Sequence, residues 1–215
     1  MKLVFHTRQE KDRLLLFFLG WGMDENPFRG LSLPDHDVAL IYDYRDLTLP
    51  EIPPYPEVIL MGWSVGVYAG ILALEAGMAE EAVFLAGTGA FSHRGFGIHP
   101  RLWGATLRAL KRDPEGTLLK FYRNMFADEE DFRRFLARCP QRALPEIVEE
   151  LEALLDYAPR FEVPGRVRAF VPQEDAIFPP PAQERFWKAC GVSVRAVPAG
   201  HFPFYRFPFE EFFSK

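Results

Sequence analysis

The chain has no run approaching the roughly 18 consecutive apolar residues that a membrane-spanning helix needs. Nor does it begin with the charged stretch and apolar core of a secretory leader, so a cytoplasmic address is expected. Its 215 residues hold only two cysteines, Cys139 and Cys190, too few and too isolated for a disulfide framework or a thiolate metal site. No excess of positive charge is present either: the net charge of -5 argues against nucleic acid as a general partner. Asparagine occurs only as Asn26 and Asn124 while proline is plentiful at 19, a balance that leans towards a thermophilic source.

What is abundant is phenylalanine, at 21 residues, which predicts an aromatic interior or binding pocket. The order of elements predicts an α/β protein. "MKLVFH" and "RLLLFFLG" read as neighbouring strands joined by the polar turn "TRQEKD", and "DVALIYDY" as the next strand. "EVILMG" is an almost wholly apolar strand of the kind buried on both faces of a parallel sheet. A helix follows in "VGVYAGILALEAG", then a strand in "EEAVFLAG". From Phe91 to Pro159 the strand-like runs stop, and four amphipathic helical segments take their place. Strand and helix then return: "GRVRAFVPQED", "PAQERFWKAC", "VSVRAVPAG" and a last helix in "FEEFFSK". Residues 1–90 and 160–215 are therefore expected to form one mostly parallel sheet flanked by helices, with residues 91–159 inserted as a helical lid.

The stretch with chemical content is Gly62-Trp63-Ser64-Val65-Gly66, set between an apolar strand and a helix. A strand-turn-helix with this pattern holds a serine at the tip of a strained turn, where side chains two positions away on either side would collide with the strand or helix. A bare Gly-x-Ser-x-Gly arises by chance in about a few per cent of such chains, and less often directly after a strand. A serine hydroxyl needs a base. Of the five histidines, His6 lies in a strand, His36 in a turn, and His93 and His99 at the entry to the helical segment. His201 alone follows the last predicted strand, where the nucleophile-acid-histidine order of α/β-hydrolases requires it. The acid is sought after the strand "RVRAFV", where Glu174 and Asp175 compete along with the tail of the helical segment. Asp175 is preferred because it lies further into the loop and can turn inward. For the oxyanion of a tetrahedral intermediate, the expected donors are the main-chain N–H groups of Val65 and of Trp21 in "LGWGM".

These residues resemble a known family. "LLLFFLGWGMDENPF", "YDYRDL", "GWSVGV", "GTG", "GFGI", "EDAIFPPPAQERFW" and "GHFPFYRF" are similar to the pimeloyl-[acyl-carrier-protein] methyl ester esterases of the BioG type, from Leu14 to Phe207. The resemblance implies an α/β-hydrolase fold and hydrolysis of the methyl ester of pimeloyl-carrier protein, in biotin synthesis, with no metal or organic cofactor. It also implies Ser64, Asp175 and His201 as triad, and Trp21 and Val65 at the oxyanion. Two departures are Val65 in place of methionine and "GIHP" in place of "GIP".

An acyl carrier protein is acidic, so a basic docking face is expected on the lid. From Arg101 to Arg142 ten Lys or Arg oppose six Asp or Glu. Arg101, Arg108 and Arg112 recur at near-helical spacing, and Arg134 and Arg138 are one turn apart. The acyl chain is expected to enter ester-first through a tunnel of rings such as Trp103, Phe121 and Phe126, in a monomer without nucleic-acid or membrane partners. The rival readings are a general short-chain esterase or acyl thioesterase, and a non-catalytic binding module on the same scaffold.

Overall fold

The structure is a computed structural model that describes residues 1–213. Seven strands form one sheet in the order β1-β3-β2-β4-β5-β6-β7. They are β1 (Lys2–Thr7), β2 (Arg13–Phe18), β3 (Asp37–Tyr42), β4 (Glu57–Trp63), β5 (Glu81–Leu85), β6 (Arg166–Pro172) and β7 (Val194–Val197). All neighbours run parallel except β1, which pairs antiparallel with β3. β1 and β2 are therefore not the neighbours that their short connection implied. The reason lies in their composition. Five of the six residues of β2 are fully enclosed, which requires a strand on each side and cover on both faces. The half-exposed β1 takes the edge, and β3 is inserted between them.

The helices are α1 (Gly66–Glu75), α2 (Pro100–Arg112), α3 (Pro114–Asn124), α4 (Glu129–Leu136), α5 (Leu144–Asp156) and α6 (Pro180–Ala189). Four of them, α2 to α5, lie between β5 and β6, which are adjacent and in parallel register. The helical segment thus leaves the strand order undisturbed. No helix among the described residues is long and apolar enough to cross a membrane. At the C-terminal end, where a helix was expected over "FEEFFSK", Phe209–Phe212 form a short 3-10 turn, and Ser214 and Lys215 lie outside the described residues.

Alternation along the strands divides the core in two. Leu14, Leu16, Phe18, Ala39, Ile41 and Leu60 face one side, covered by α1 and α6 and extended by α2 and α5. Leu15, Phe17, Val38, Leu40, Met61 and Trp63 face the other. That second face is roofed largely by rings: Phe28, Phe202, Phe209 and Phe212, with Tyr122, Phe126, Phe132 and Phe135 from α3, α4 and their junction. Phe28, Phe202 and Phe204 all pack edge-on or tilted around Trp63 at centroid distances of 5.3–6.1 Å. Much of the abundant phenylalanine lies here, where ring-on-ring packing closes this face of the sheet.

Candidate active site

Ser64 follows β4 with φ +59, a left-handed conformation that a residue with a side chain adopts only under constraint. The constraint is visible at its neighbours. A Cβ on Gly66 would lie 2.2 Å from the Phe18 carbonyl oxygen, and one on Gly62 2.8 Å from that of Gly66. The tight crossing of α1 over β2 and β4 leaves no room for either. Gly87, the first glycine of "GTG", plays the same part from β5's end: a Cβ there would sit 2.1 Å from the Ser64 carbonyl oxygen. The Ser64 N–H donates to the Leu85 carbonyl at 3.0 Å, extending the β4–β5 ladder to the tip of the turn.

Parallel register brings the ends of β2, β4, β6 and β7 to one edge of the sheet. Gln173 and Glu174 donate their N–H groups to Val197 and Ala199, so the loops after β6 and β7 remain zipped beyond the strands. His201 and Asp175 consequently meet: Nδ1 lies 2.8 Å from Oδ2, with both side chains fully enclosed. A carboxylate only accepts, so in this contact Nδ1 is the donor. The other donors to Asp175 are the N–H groups of Ile177 and Phe178 and the Gln183 side-chain amide, at 2.7–3.1 Å. Gln183, on α6 and itself buried, also donates to the Phe178 carbonyl at 2.7 Å. Gln183 lies in the stretch "EDAIFPPPAQERFW", where sequence reasoning assigns it no role of its own. Glu174 is exposed and contributes only main-chain bonds.

The remaining histidines are occupied elsewhere. His93 Nδ1 accepts from Gly95 and Phe96, and His99 Nδ1 accepts from Arg101 and caps α2. The extra histidine of "GIHP" thus starts a helix. In His6 and His36, burial pulls the imidazole pKa below its ordinary value.

His201 is held against the serine turn by Trp63. The indole N–H donates to the His201 carbonyl at 2.8 Å, and the two rings lie 5.3 Å apart. Among the described residues, no hydrogen bond joins the Ser64 hydroxyl to the imidazole, and Nε2 is buried without a partner. Ser64 itself is only 7% exposed.

The loop after β2 closes over the same point. A Cβ on Gly20 would approach the Ser64 Cβ at 3.3 Å. Among the described residues, the main-chain N–H groups of Trp21 and Val65 donate to no protein acceptor. Val65 immediately precedes α1, whose N-terminal dipole favours negative charge. The Trp21 side chain does not point freely into a pocket: its indole N–H donates to the Ile147 carbonyl on α5 at 3.0 Å, and its ring packs on Phe121 at 5.0 Å.

The five arginines lie on or just beyond two helices that bury their apolar sides in different cores. α2, with Arg101, Arg108 and Arg112, buries Trp103 and Leu110 in the first core. α4 carries Arg134 and buries Phe132 and Phe135 in the second, with Arg138 just beyond it. Arg134 and Arg138 line a cavity of about 570 Å³ together with Phe28, Arg29, Phe204 and Tyr205. Neither Ser64 nor His201 opens into it, yet Phe28 and Phe204 line it and touch Trp63. The expected ring tunnel is not formed in this state either: Trp103 packs on Phe91 in the first core and Phe126 on Phe202 in the second.

The sequence profile of the family described as pimeloyl-ACP methyl esterase BioG matches residues 1–212. An uncharacterized protein of Haemophilus influenzae is 33% identical over 212 residues, covering 96% of each chain. A malonyl-[acyl-carrier protein] O-methyltransferase of Bacteroides fragilis is 33% identical over 197 residues, which is 87% of this chain but only 39% of that one. Among solved structures, BioG from Haemophilus influenzae superposes with a TM-score of 0.90 at 30% identity over the full length of both chains. An esterase from Exiguobacterium antarcticum reaches 0.73 at 15% identity, over 94% of this chain and 88% of that one, a likeness of fold.

Proposed function

The chain belongs to the BioG family of pimeloyl-ACP methyl esterases, and on that premise we propose that it hydrolyses the methyl ester of a pimeloyl chain carried by acyl carrier protein, by a serine mechanism. The observation that carries the mechanism is the enclosed 2.8 Å contact of His201 Nδ1 with Asp175. It leaves Nε2 as an unpartnered base beside the turn that holds Ser64. Hydrogen bonds of this kind are often incomplete before substrate binds and tighten in the complex. A buried polar atom without a partner is costly, typically about 1–3 kcal/mol, so closure onto Ser64 also relieves it.

In this mechanism Ser64 Oγ attacks the ester carbon as His201 Nε2 takes its proton. The carbonyl oxygen gains the negative charge and receives the N–H groups of Trp21 and Val65, each worth about 3 kcal/mol in the transition state. Collapse breaks the bond to the methoxy oxygen, which leaves as methanol with the proton from His201. Water, deprotonated by the same imidazole, then attacks the acyl-serine and releases the free carboxyl group with Ser64 restored. Asp175 holds the imidazole in its tautomer and stabilises the imidazolium. No step needs a metal or organic cofactor.

The helical segment 91–159 serves as the lid in this reading. A carrier held outside by lid arginines presents the distal ester to Ser64 and keeps the thioester away. Arg134 and Arg138 are the better docking candidates, because their cavity lies one aromatic layer from Trp63. The Bacteroides fragilis relative is described as an O-methyltransferase of malonyl-[acyl-carrier protein], and a carrier-linked methyl ester is the class of bond this chain is proposed to break. The reading places the protein in the cytoplasm, in biotin synthesis. The test is turnover of a carrier-linked methyl pimelate, free methyl pimelate and an acyl thioester side by side, with Ser64→Ala as control. Preference for the carrier-linked methyl ester supports the reading; equal or better turnover of the thioester overturns it.

A further inference from the structure

Glu150 takes no part in the chemistry above, yet its side chain is completely enclosed. Oε1 accepts the Tyr44 N–H at 2.9 Å, and Oε2 accepts the Gly22 N–H at 3.1 Å and the Arg142 guanidinium at 2.5 Å. Burial pushes its pKa up, opposed by Arg142 and by the two N–H groups. The two main-chain donors belong to different loops, after β2 and after β3, and the carboxylate belongs to α5. One side chain therefore ties the lid segment to both loops at the reactive edge of the sheet.

Its placement relative to Trp21 gives the contact a consequence. Gly22 stands at φ +71, so the course of the chain through Trp21 and Gly22 turns on how Gly22 is held. Helix α5 grips this pair twice within one turn, by Ile147 on the Trp21 indole and by Glu150 on the Gly22 N–H. A buried ion pair is a poor route to stability, because desolvation consumes most of what the attraction returns. What it does supply is a fixed direction. Arg142, with its side chain only 3% exposed, is itself set between Glu150 and Asp43, the latter at 3.2 Å.

We propose that Glu150, held by Arg142, is a positioning residue that aims the Trp21 main-chain N–H at the oxyanion, so that the lid helix α5 completes the reactive site. The inference rests on the reading of Trp21 as an oxyanion donor. Glu150→Gln keeps the size but turns an NH2 group either towards Tyr44 or towards Gly22 and Arg142 together, all of which donate. The expected result with a soluble p-nitrophenyl ester is a kcat about 10–100-fold lower per active serine, part of the loss seen when a donor is removed outright. KM stays within twofold, and the pH profile of kcat/KM, which reports His201, is unchanged. Active serines are counted by fluorophosphonate labelling run to completion.

A purely structural role lowers the count of active serines and leaves kcat per serine within twofold; that result overturns the proposal. Should Glu150→Gln fail to fold, Arg142→Lys decides. It retains the charge but not the planar grip, and an unchanged kcat per serine again refutes the positioning role. If instead Ser64→Ala leaves the esterase activity of the unsubstituted chain intact, the serine mechanism itself has failed, a result distinct from either outcome at Glu150.

Discussion

Two glycine-to-alanine substitutions with the same chemistry should move stability in opposite directions. In Gly66→Ala the new methyl group meets backbone, at 2.2 Å from the Phe18 oxygen and 2.5 Å from that of Leu19. Real Cβ atoms do not approach within 3.0 Å, so α1 and the end of β2 must separate by about 0.8 Å (3.0 minus 2.2). Alanine's better helix propensity returns at most about 1 kcal/mol, whereas overpacking against main chain costs about 1–3 kcal/mol or more. The clash wins, and Tm should fall by about 2–4 °C for each kcal/mol at this chain length. Because α1 starts beside Ser64 and Val65, the same shift displaces the proposed nucleophile and one proposed oxyanion donor, and misplacement by about 1 Å costs on the order of a hundredfold in rate. Gly104, inside α2, is the control. A Cβ there meets only the end of the Arg108 side chain, at 3.4 Å, so Gly104→Ala should raise Tm by the propensity gain of about 1 kcal/mol and leave kcat unchanged. Urea or thermal denaturation with a p-nitrophenyl ester assay reads both variants. Gly66→Ala with unaltered Tm and kcat would refute the packing account of the serine turn.

Ser64→Ala and His201→Ala should each lower kcat by about a millionfold, and Asp175→Asn by about ten-thousandfold, with double variants no worse than the worst single; additive losses would show that the three do not act as a unit. Charge reversal at Arg134 and Arg138 should raise KM for a carrier-linked ester at moderate salt and spare a free ester, whereas reversal at Arg101, Arg108 and Arg112 should do less; the opposite ranking would move the docking face to α2. For Asp43, burial alone raises the carboxyl pKa, but Arg45, Arg142 and Lys2 outweigh it and hold it at about 2. A depressed pKa contributes stability that is complete above the ordinary aspartate range and is lost as pH falls from about 4 towards 2. Asp43→Asn should therefore flatten the acid limb of the stability-against-pH curve between those values, and an unchanged limb would exclude Asp43 as its source.

The elements and the serine turn were legible in the sequence because their causes are local. An apolar run ending in Gly62, a helix-forming run after Gly66, and proline at the starts of α2, α3, α5 and α6 act within a few residues of where they stand. His201 was found by order along the chain, and Asp175 by its position past a strand. Tertiary structure decided the rest. Whether β1 lies beside β2 or β3 depends on which strand must be covered on both sides, a property of the assembled sheet. The zipped ends of β6 and β7 turn the Asp175 carboxylate inward and leave that of Glu174 in water, an outcome that position along the chain could only anticipate. The roles of Gln183, Gly87 and Glu150 were not legible, since each is defined by partners from 5 to 128 residues away. Packing periodicity is a short-range property that a sequence displays. The pairing of buried polar groups is long-range, and only the folded chain reveals it.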